Sequence, residues 1–331
     1  MAKKPAARIV GTGRAVPETV LTNADLERIV DTSDEWITTR TGIKERRVVA
    51  EGEALVDLVE RAGRAAMEDA GVDPLEVDLL ILATATVEQP IPASSAIVQP
   101  RLGVTNAACF DLSAACSGFT YSVNVARQFI ATGGAETVLV VGAETLSKIT
   151  NWKDRSTCVL FGDSAGAVVV RPSEPGQGFL SFYLGADGGG AALISQPAGG
   201  SRLPASYETV ERAQHTLHMN GREVYKFAVR VIPRAIEEAL RRASLTLQDV
   251  DMFIPHQANI RIIDAAAERL GQPREKFFIN VERYGNTSSA SVPVALYEAV
   301  RAGLIHRGDL AVLVAFGGGL TWGSTALRWT K

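Results

Sequence analysis

Three polar residues of this chain stand where an α/β fold could turn them on one substrate: Cys116 in AACSGF, His256 in IPHQAN and Asn286 in YGNTSSAS. Cys116 falls at an inferred strand-to-helix turn. There the positive end of the helix dipole and its free N–H groups would lower the thiol pKa and favour the reactive thiolate. Small neighbours, Ala114, Ala115, Ser117 and Gly118, permit a crowded nucleophile turn. His256 directly follows a buried apolar run, at the carboxyl end of a strand, where α/β sheets bind ligands. A neutral imidazole at such a point can donate a hydrogen bond to a carbonyl oxygen or exchange a proton. Asn286 lies in a second glycine-led helix start. Two neutral donors, His and Asn, aimed at one oxygen would stabilise the enolate formed when a carboxylate leaves as carbon dioxide; a carboxylate in their place would repel it.

Each of these residues also has a plainer reading. Free cysteines are often buried and inert, a lone histidine is often structural, and an asparagine at a helix start is often just an N-cap. Gly317-Gly-Gly319 follows the last apolar run and lets backbone N–H groups approach a substrate closely. With the amide of Cys116 it could form an oxyanion hole; a plain strand-ending turn wants glycine too. Gly11-Thr-Gly13 resembles the start of a dinucleotide fingerprint, but the sixth position is Val16, which argues against nicotinamide binding. Cys109 reads as a core residue and Cys158 as structural. His215 and His218 lack the cysteine or carboxylate partners of a metal site, and His306 reads as an exposed loop residue.

The elements that must hold these residues alternate. Strands are expected at Arg8–Gly11, Val77–Thr84, Ala108–Leu112, Thr137–Val141, Gly166–Val170, Val250–Pro255, Phe277–Val281 and Leu310–Phe316. Helices are expected at Asn23–Val30, Ser33–Thr39, Leu55–Ala70, Ser117–Ala131, Gly221–Ala243, Ile260–Leu270 and Ser289–Ala302, several stopped by glycine. Such alternation implies an α/β protein with mostly parallel sheets. The halves echo one another: a small-residue turn opens a helix, glycine follows, and an apolar strand ends at Gly142-Ala-Glu144 in one and Gly317-Gly-Gly319 in the other. Two similar halves would bring Cys116, His256 and Asn286 to one central cleft. Arg171 to about Gly221, rich in Gly, Pro and Ser, reads as the junction.

Bulk properties narrow the field. A chain of 331 residues exceeds the roughly 250–300 that one core supports, so two halves are the default. A net charge of −3 carries no basic excess for nucleic acid. Three cysteines do not make a disulfide scaffold, no apolar run is long enough to span a membrane, and no apolar signal core follows the first lysines. A reducing cytoplasmic setting is expected, where a free nucleophilic thiol persists.

Taken together, AACSGFTYS around Cys116, IPHQAN at His256, YGNTSSAS at Asn286 and AFGGGLTWG near the end resemble the β-ketoacyl-acyl-carrier-protein synthase III enzymes. Thr22–Arg47 and FGDSAGAVVV (Phe161–Val170) resemble that family too, so the likeness runs from Ile9 to Arg328. It implies an α/β, thiolase-like fold of five layers, αβαβα, made of two βαβαβαββ halves (residues 1–175 and 176–331), and a homodimer. It implies initiation of type II fatty acid synthesis: acyl-CoA acylates Cys116, and malonyl-acyl carrier protein is then decarboxylated and condensed. Acyl-CoA is a substrate there, and no cofactor or metal is expected. By position Trp36, Arg40, Arg155 and Asn259 match coenzyme A contacts, and Gly318 an oxyanion donor beside Cys116. Gln257, Ala258, Asn259, Ile260 and Arg261 match the carrier-protein docking segment, with Arg222, Lys226 and Arg230 as further candidates for a basic rim. Ser289 stands where many members of the family have a second Ala, and Glu88–Pro92 looks variable, leaving the primer acyl group open. A related enzyme priming a polyketide or secondary-metabolite pathway is the nearest rival. A hydroxymethylglutaryl-CoA synthase lacks its acidic base in this sequence; an acyl-CoA-binding protein and a cysteine hydrolase remain as rivals of other kinds.

Overall fold

A computed structural model describes residues 6–331. The first half contains β1 (Ala6–Ala15), β2 (Val20–Thr22), α1 (Asn23–Leu26), α2 (Asp34–Thr41), β3 (Glu45–Arg47), α3 (Leu55–Ala70), β4 (Leu79–Ala83), α4 (Ser94–Leu102), β5 (Ala108–Leu112), α5 (Gly118–Ala131), β6 (Val138–Thr145), α6 (Arg155–Cys158) and β7 (Asp163–Ser173). The second contains β8 (Gly178–Ala186), β9 (Ile194–Ser195), α7 (Tyr207–Glu211), β10 (His218–Met219), α8 (Gly221–Arg242), β11 (Met252–Pro255), α9 (Ile260–Leu270), α10 (Val281–Tyr284), α11 (Ser291–Arg301), β12 (Leu310–Gly317) and β13 (Thr321–Arg328).

Two sheets carry the fold, with strand orders β1-β7-β6-β4-β5 and β8-β13-β12-β11. Their pairings run in the same sense: two antiparallel ladders, then parallel ones toward the far edge. Helices α5 and α11 fill the space between the sheets in one core. Helices α3 and α4 cover the outer face of the first sheet, and α8 and α9 that of the second. The result is the five-layered αβαβα, thiolase-like arrangement of two similar halves. β4, β6, β11 and β12 are buried throughout, as strands covered on both faces must be.

The sheets are mixed, not mostly parallel. β12 returns as β13 through only Gly318–Leu320, and so short a link joins antiparallel neighbours, whereas a parallel crossover needs a dozen or more residues. The strand expected at Phe277–Val281 is reduced to a single bridge between Phe253 and Phe277. The Gln257 side chain bonds to that segment instead: its amide donates to Phe278 O, and its oxygen accepts from Asn280 N, both at 2.9 Å. The supposed junction holds β8, an edge strand of the second sheet. Leu55–Ala70 and Ile260–Leu270 appear as read, each ending at a left-handed glycine. Pro233 stays inside α8. Gly11 and Gly13 have a packing role, since a Cβ on Gly13 would lie 2.5 Å from Ala66 N of α3.

Candidate active site

A cleft of about 690 Å3 opens on Cys116, His256, Asn286, Ser288, Gly317 and Gly318. Trp36, Arg40, Arg222, Lys226, Asn259 and Arg261 also line it, and no Asp or Glu does.

Cys116 sits in a 3-10 turn, Ala115–Ser117, that leads into α5. The turn is tight enough to hold Ala115 at φ 46°. The end of β12 lies directly on it: a Cβ at Gly317 would be 2.6 Å from Cys116 N, so only glycine fits. Thr321 Oγ1 donates to Ala114 O at 3.0 Å and ties the Gly317–Gly319 loop to this turn. Around Sγ stand the Ser288 hydroxyl and the N–H groups of Cys116 and Gly318. Burial outweighs these donors and, with the Glu144 carboxyl nearby, pushes the thiol pKa up to about 12. The thiolate expected from the helix terminus is therefore not the resting form, because desolvation of a charged sulfur exceeds what the N–H groups return.

His256 follows β11, anchored by its N–H to Val314 O at 2.8 Å. Phe316 packs edge-on against its ring at 5.4 Å. His256 is 1% exposed, and its Nδ1 has no hydrogen-bond partner among the described residues. Burial drives its pKa down to about 3, so the ring is neutral. Asn286 is held by two backbone bonds, its N–H to Leu160 O at 2.8 Å and its C=O from Gly162 N at 3.0 Å. Its Oδ1 accepts from Ser288 N at 2.9 Å, which leaves Nδ2 as the group free to donate.

Sequence reading missed the carboxyl beneath this surface. Glu144, at the end of β6, is fully buried. Thr84, Thr86, Ser288 and Ser289 hydroxyls and Ala85 N–H converge on it at 2.6–3.3 Å. Burial raises its pKa. The hint was available in its place after an apolar strand. Ser289, the departure from the family pattern, is one of its donors. It also occupies in the second half the place Cys116 holds in the first, one residue after a positive-φ residue, Ser288 at 48°.

At the mouth, two guanidinium groups lie over the Trp36 ring, Arg40 at 4.6 Å and Arg155 at 4.9 Å from its centroid. Asn259 caps α9 through Arg261 N and donates to Arg40 O at 3.0 Å. Arg261 leans on the Tyr225 ring at 5.8 Å, which places it beside Arg222 and Lys226; Arg230, outside the cleft lining, is exposed. Two residues of the expected docking segment face inward: Gln257 is buried and bonded as described, and Ile260 packs against Gly42 and the small core under α2. Their apolar and amide contacts hold α9 in place. Cys109, expected in the core, is half-buried on edge strand β5; Cys158 is buried. His215 bonds to Thr209 Oγ1 at 2.8 Å, and no cluster of three metal-ligating residues occurs among the described residues. No helix of the described residues is long and apolar enough to cross a membrane.

Residues 110–188 match the family model for 3-oxoacyl-[acyl-carrier-protein] synthase III, and residues 240–329 match that for its C-terminal part. The chain is 58% identical over 323 residues to the β-ketoacyl-[acyl-carrier-protein] synthase III of Symbiobacterium thermophilum, covering 98% of each. It is 56% identical over 331 residues to that of Caldanaerobacter subterraneus, covering 100% of each. The crystal structure of 3-oxoacyl-[acyl-carrier-protein] synthase III from Aquifex aeolicus superposes with a TM-score of 0.90 at 47% identity, over 98% of this chain and 100% of that one.

Proposed function

The chain belongs to the 3-oxoacyl-[acyl-carrier-protein] synthase III family, condensing acyltransferases of fatty acid synthesis, and from that premise we propose how its residues divide the reaction. Cys116 takes the acyl group from acyl-CoA, and His256 and Asn286 drive decarboxylative condensation with malonyl-acyl carrier protein. One observation carries the reading: the nucleophile shares a cleft with two neutral donors and no carboxylate. Polyketide priming is not favoured by the relatives.

In the first half-reaction the Cys116 sulfur attacks the thioester carbon. Because the thiol rests protonated, its proton leaves as the bond forms, and the neutral His256 ring is the acceptor in the cleft. The N–H groups of Cys116 and Gly318 hold the oxyanion. The intermediate collapses, the carbon–sulfur bond to coenzyme A breaks, and the departing sulfur takes the proton back. In the second half-reaction the malonyl carbonyl oxygen accepts hydrogen bonds from His256 and Asn286 Nδ2. The carbon–carbon bond to the carboxylate breaks and carbon dioxide leaves. The electron pair becomes an enolate, whose carbon attacks the acyl-Cys116 carbonyl. The second collapse expels the Cys116 sulfur, which takes up one proton from solvent.

Trp36, Arg40 and Arg155 fit the nucleotide end of coenzyme A, as a flat ring and two cations for an adenine and its phosphates. Asn259 fits the pantetheine arm. Arg261, Arg222 and Lys226 form a basic rim for an acidic carrier protein, with Ala258 on the cleft wall. Acyl-CoA is consumed as a substrate, and no resident cofactor is called for. A homodimer is part of the proposal: among the described residues β5 is a sheet edge with only half-buried residues after Ala108, and Ile91, in the loop before α4, is 85% exposed. Three free cysteines suit the cytoplasm.

The test is intact mass spectrometry after incubation with a panel of acyl-CoAs, before and after malonyl-acyl carrier protein is added. An acyl adduct on Cys116 that discharges only with the malonyl partner supports the assignment and names the primer. An adduct lost to water alone makes the protein a hydrolase and overturns it.

A further inference from the structure

One buried guanidinium joins the helix that carries Trp36 to the turn that carries Asn286. Arg46, in the middle of β3, has no exposed surface. Its Nη1 donates to Leu21 O at 3.1 Å and to Asn23 Oδ1 at 2.9 Å; its Nη2 donates to Val159 O at 2.8 Å. No carboxylate lies within ion-pair distance of it among the described residues. Burial brings its pKa down to about 10, so it stays charged at neutral pH.

Its contacts lead two ways. Asn23 Nδ2 donates to Asp34 Oδ1 and to Ile43 O, both at 2.8 Å. Asp34 opens α2, the helix of Trp36 and Arg40. On the other side, Val159 directly precedes Leu160–Gly162, and both backbone groups of Asn286 bond to that segment across a parallel bridge. The stem of Arg46 fills the space above it. A Cβ on Gly162 would lie 3.1 Å from Arg46 Cβ, and one on Gly285 would lie 3.5 Å from it. Lys44 N donates to Glu282 O at 3.0 Å and holds β3 against the helix before Asn286.

We infer that Arg46 is a positioning residue for Asn286: it clamps the Val159–Gly162 segment so that the free Nδ2 faces the cleft, and links that turn to the Trp36 helix. Stability alone does not account for it. A buried cation bonded only to neutral oxygens is costly, and an apolar side chain of similar length serves a core as well or better.

The inference rests on the proposed role of Asn286, so Asn286→Ala is the control. Arg46→Lys keeps the charge but cannot reach Asn23 and Val159 together; Arg46→Met removes the buried charge and, by the same reasoning, folds. Each is assayed for melting temperature, for the rate of Cys116 acylation by acyl-CoA, and for carbon dioxide release from malonyl-acyl carrier protein. The expected result is acylation within about threefold of the parent, with kcat for decarboxylation about 10- to 100-fold lower and KM little changed, the cost of a misplaced catalytic group. Equal losses in both half-reactions, or losses that track melting temperature across the two variants, overturn the positioning role. If Asn286→Ala loses decarboxylation while both Arg46 variants keep it, only this inference falls. If Asn286→Ala keeps decarboxylation, the role of Asn286 itself is wrong, and this inference goes with it.

Discussion

The side-chain oxygen of Asn286 accepts the backbone N–H of Ser288 at 2.9 Å, and that bond fixes which end of the amide meets the substrate. With Oδ1 occupied, the cleft receives a donor. Asn286→Asp keeps the acceptor for Ser288 but offers the enolate an anion. Decarboxylation should fall about 100- to 1,000-fold, with acylation largely kept. Carbon dioxide release set against adduct formation measures both; equal losses would mean a collapsed turn.

The raised thiol pKa of Cys116 has its own signature. Burial moves the thiol pKa from its ordinary 9.0 up to about 12 in the folded protein. Alkylation by iodoacetamide should therefore be slow at pH 7–8 and still rising at pH 10. A plateau near neutral pH would show a thiolate. The same shift makes this group's contribution to stability fully present below pH 9 and lost as pH rises from there toward 12.

His256 titrates in the opposite sense. Its folded pKa of about 3 lies below the ordinary imidazole value of 6.5, so the unfolded chain binds the extra proton first. Its contribution to stability is present above pH 6.5 and declines as pH falls toward 3. His256→Gln should narrow the difference between urea melts at pH 7 and pH 4.5. In the parent, decarboxylation should show no acid limb near pH 6.5.

Glu144 should act as the shared acceptor of the hydroxyls around it. Burial raises its pKa, and the donors around it are hydroxyls and one N–H. Glu144→Gln should keep turnover within about threefold, while Glu144→Ala strands several hydroxyls and should cost roughly 2–4 kcal/mol. Chemical denaturation separates the two; similar losses would mean the charge itself matters.

Trp36→Ala tests the mouth of the cleft. Removing the ring that Arg40 and Arg155 contact should raise KM for acyl-CoA about tenfold and leave kcat nearly unchanged, since stacking and cation–π contacts are worth roughly 1–2 kcal/mol. A fall in kcat alone would place Trp36 elsewhere in the mechanism.

Much of this protein is legible in local pattern. The apolar runs of β4, β6 and β12, the periodicity of α3 and α9, and the glycines that stop those helices are short-range signals. They place Cys116, His256 and Asn286 at element ends before any fold is known. What those residues are chemically is decided elsewhere. The Cys116 proton depends on burial under the second half and on Glu144; Gln257 points inward because Phe278 and Asn280 meet it; the antiparallel returns follow from which strands become neighbours. Arg46 and Val159 lie 113 residues apart, and Ser288 and Glu144 lie 144 apart. Hydrogen bonds and desolvation depend on distance in space, so such pairs exist only once the two halves have packed.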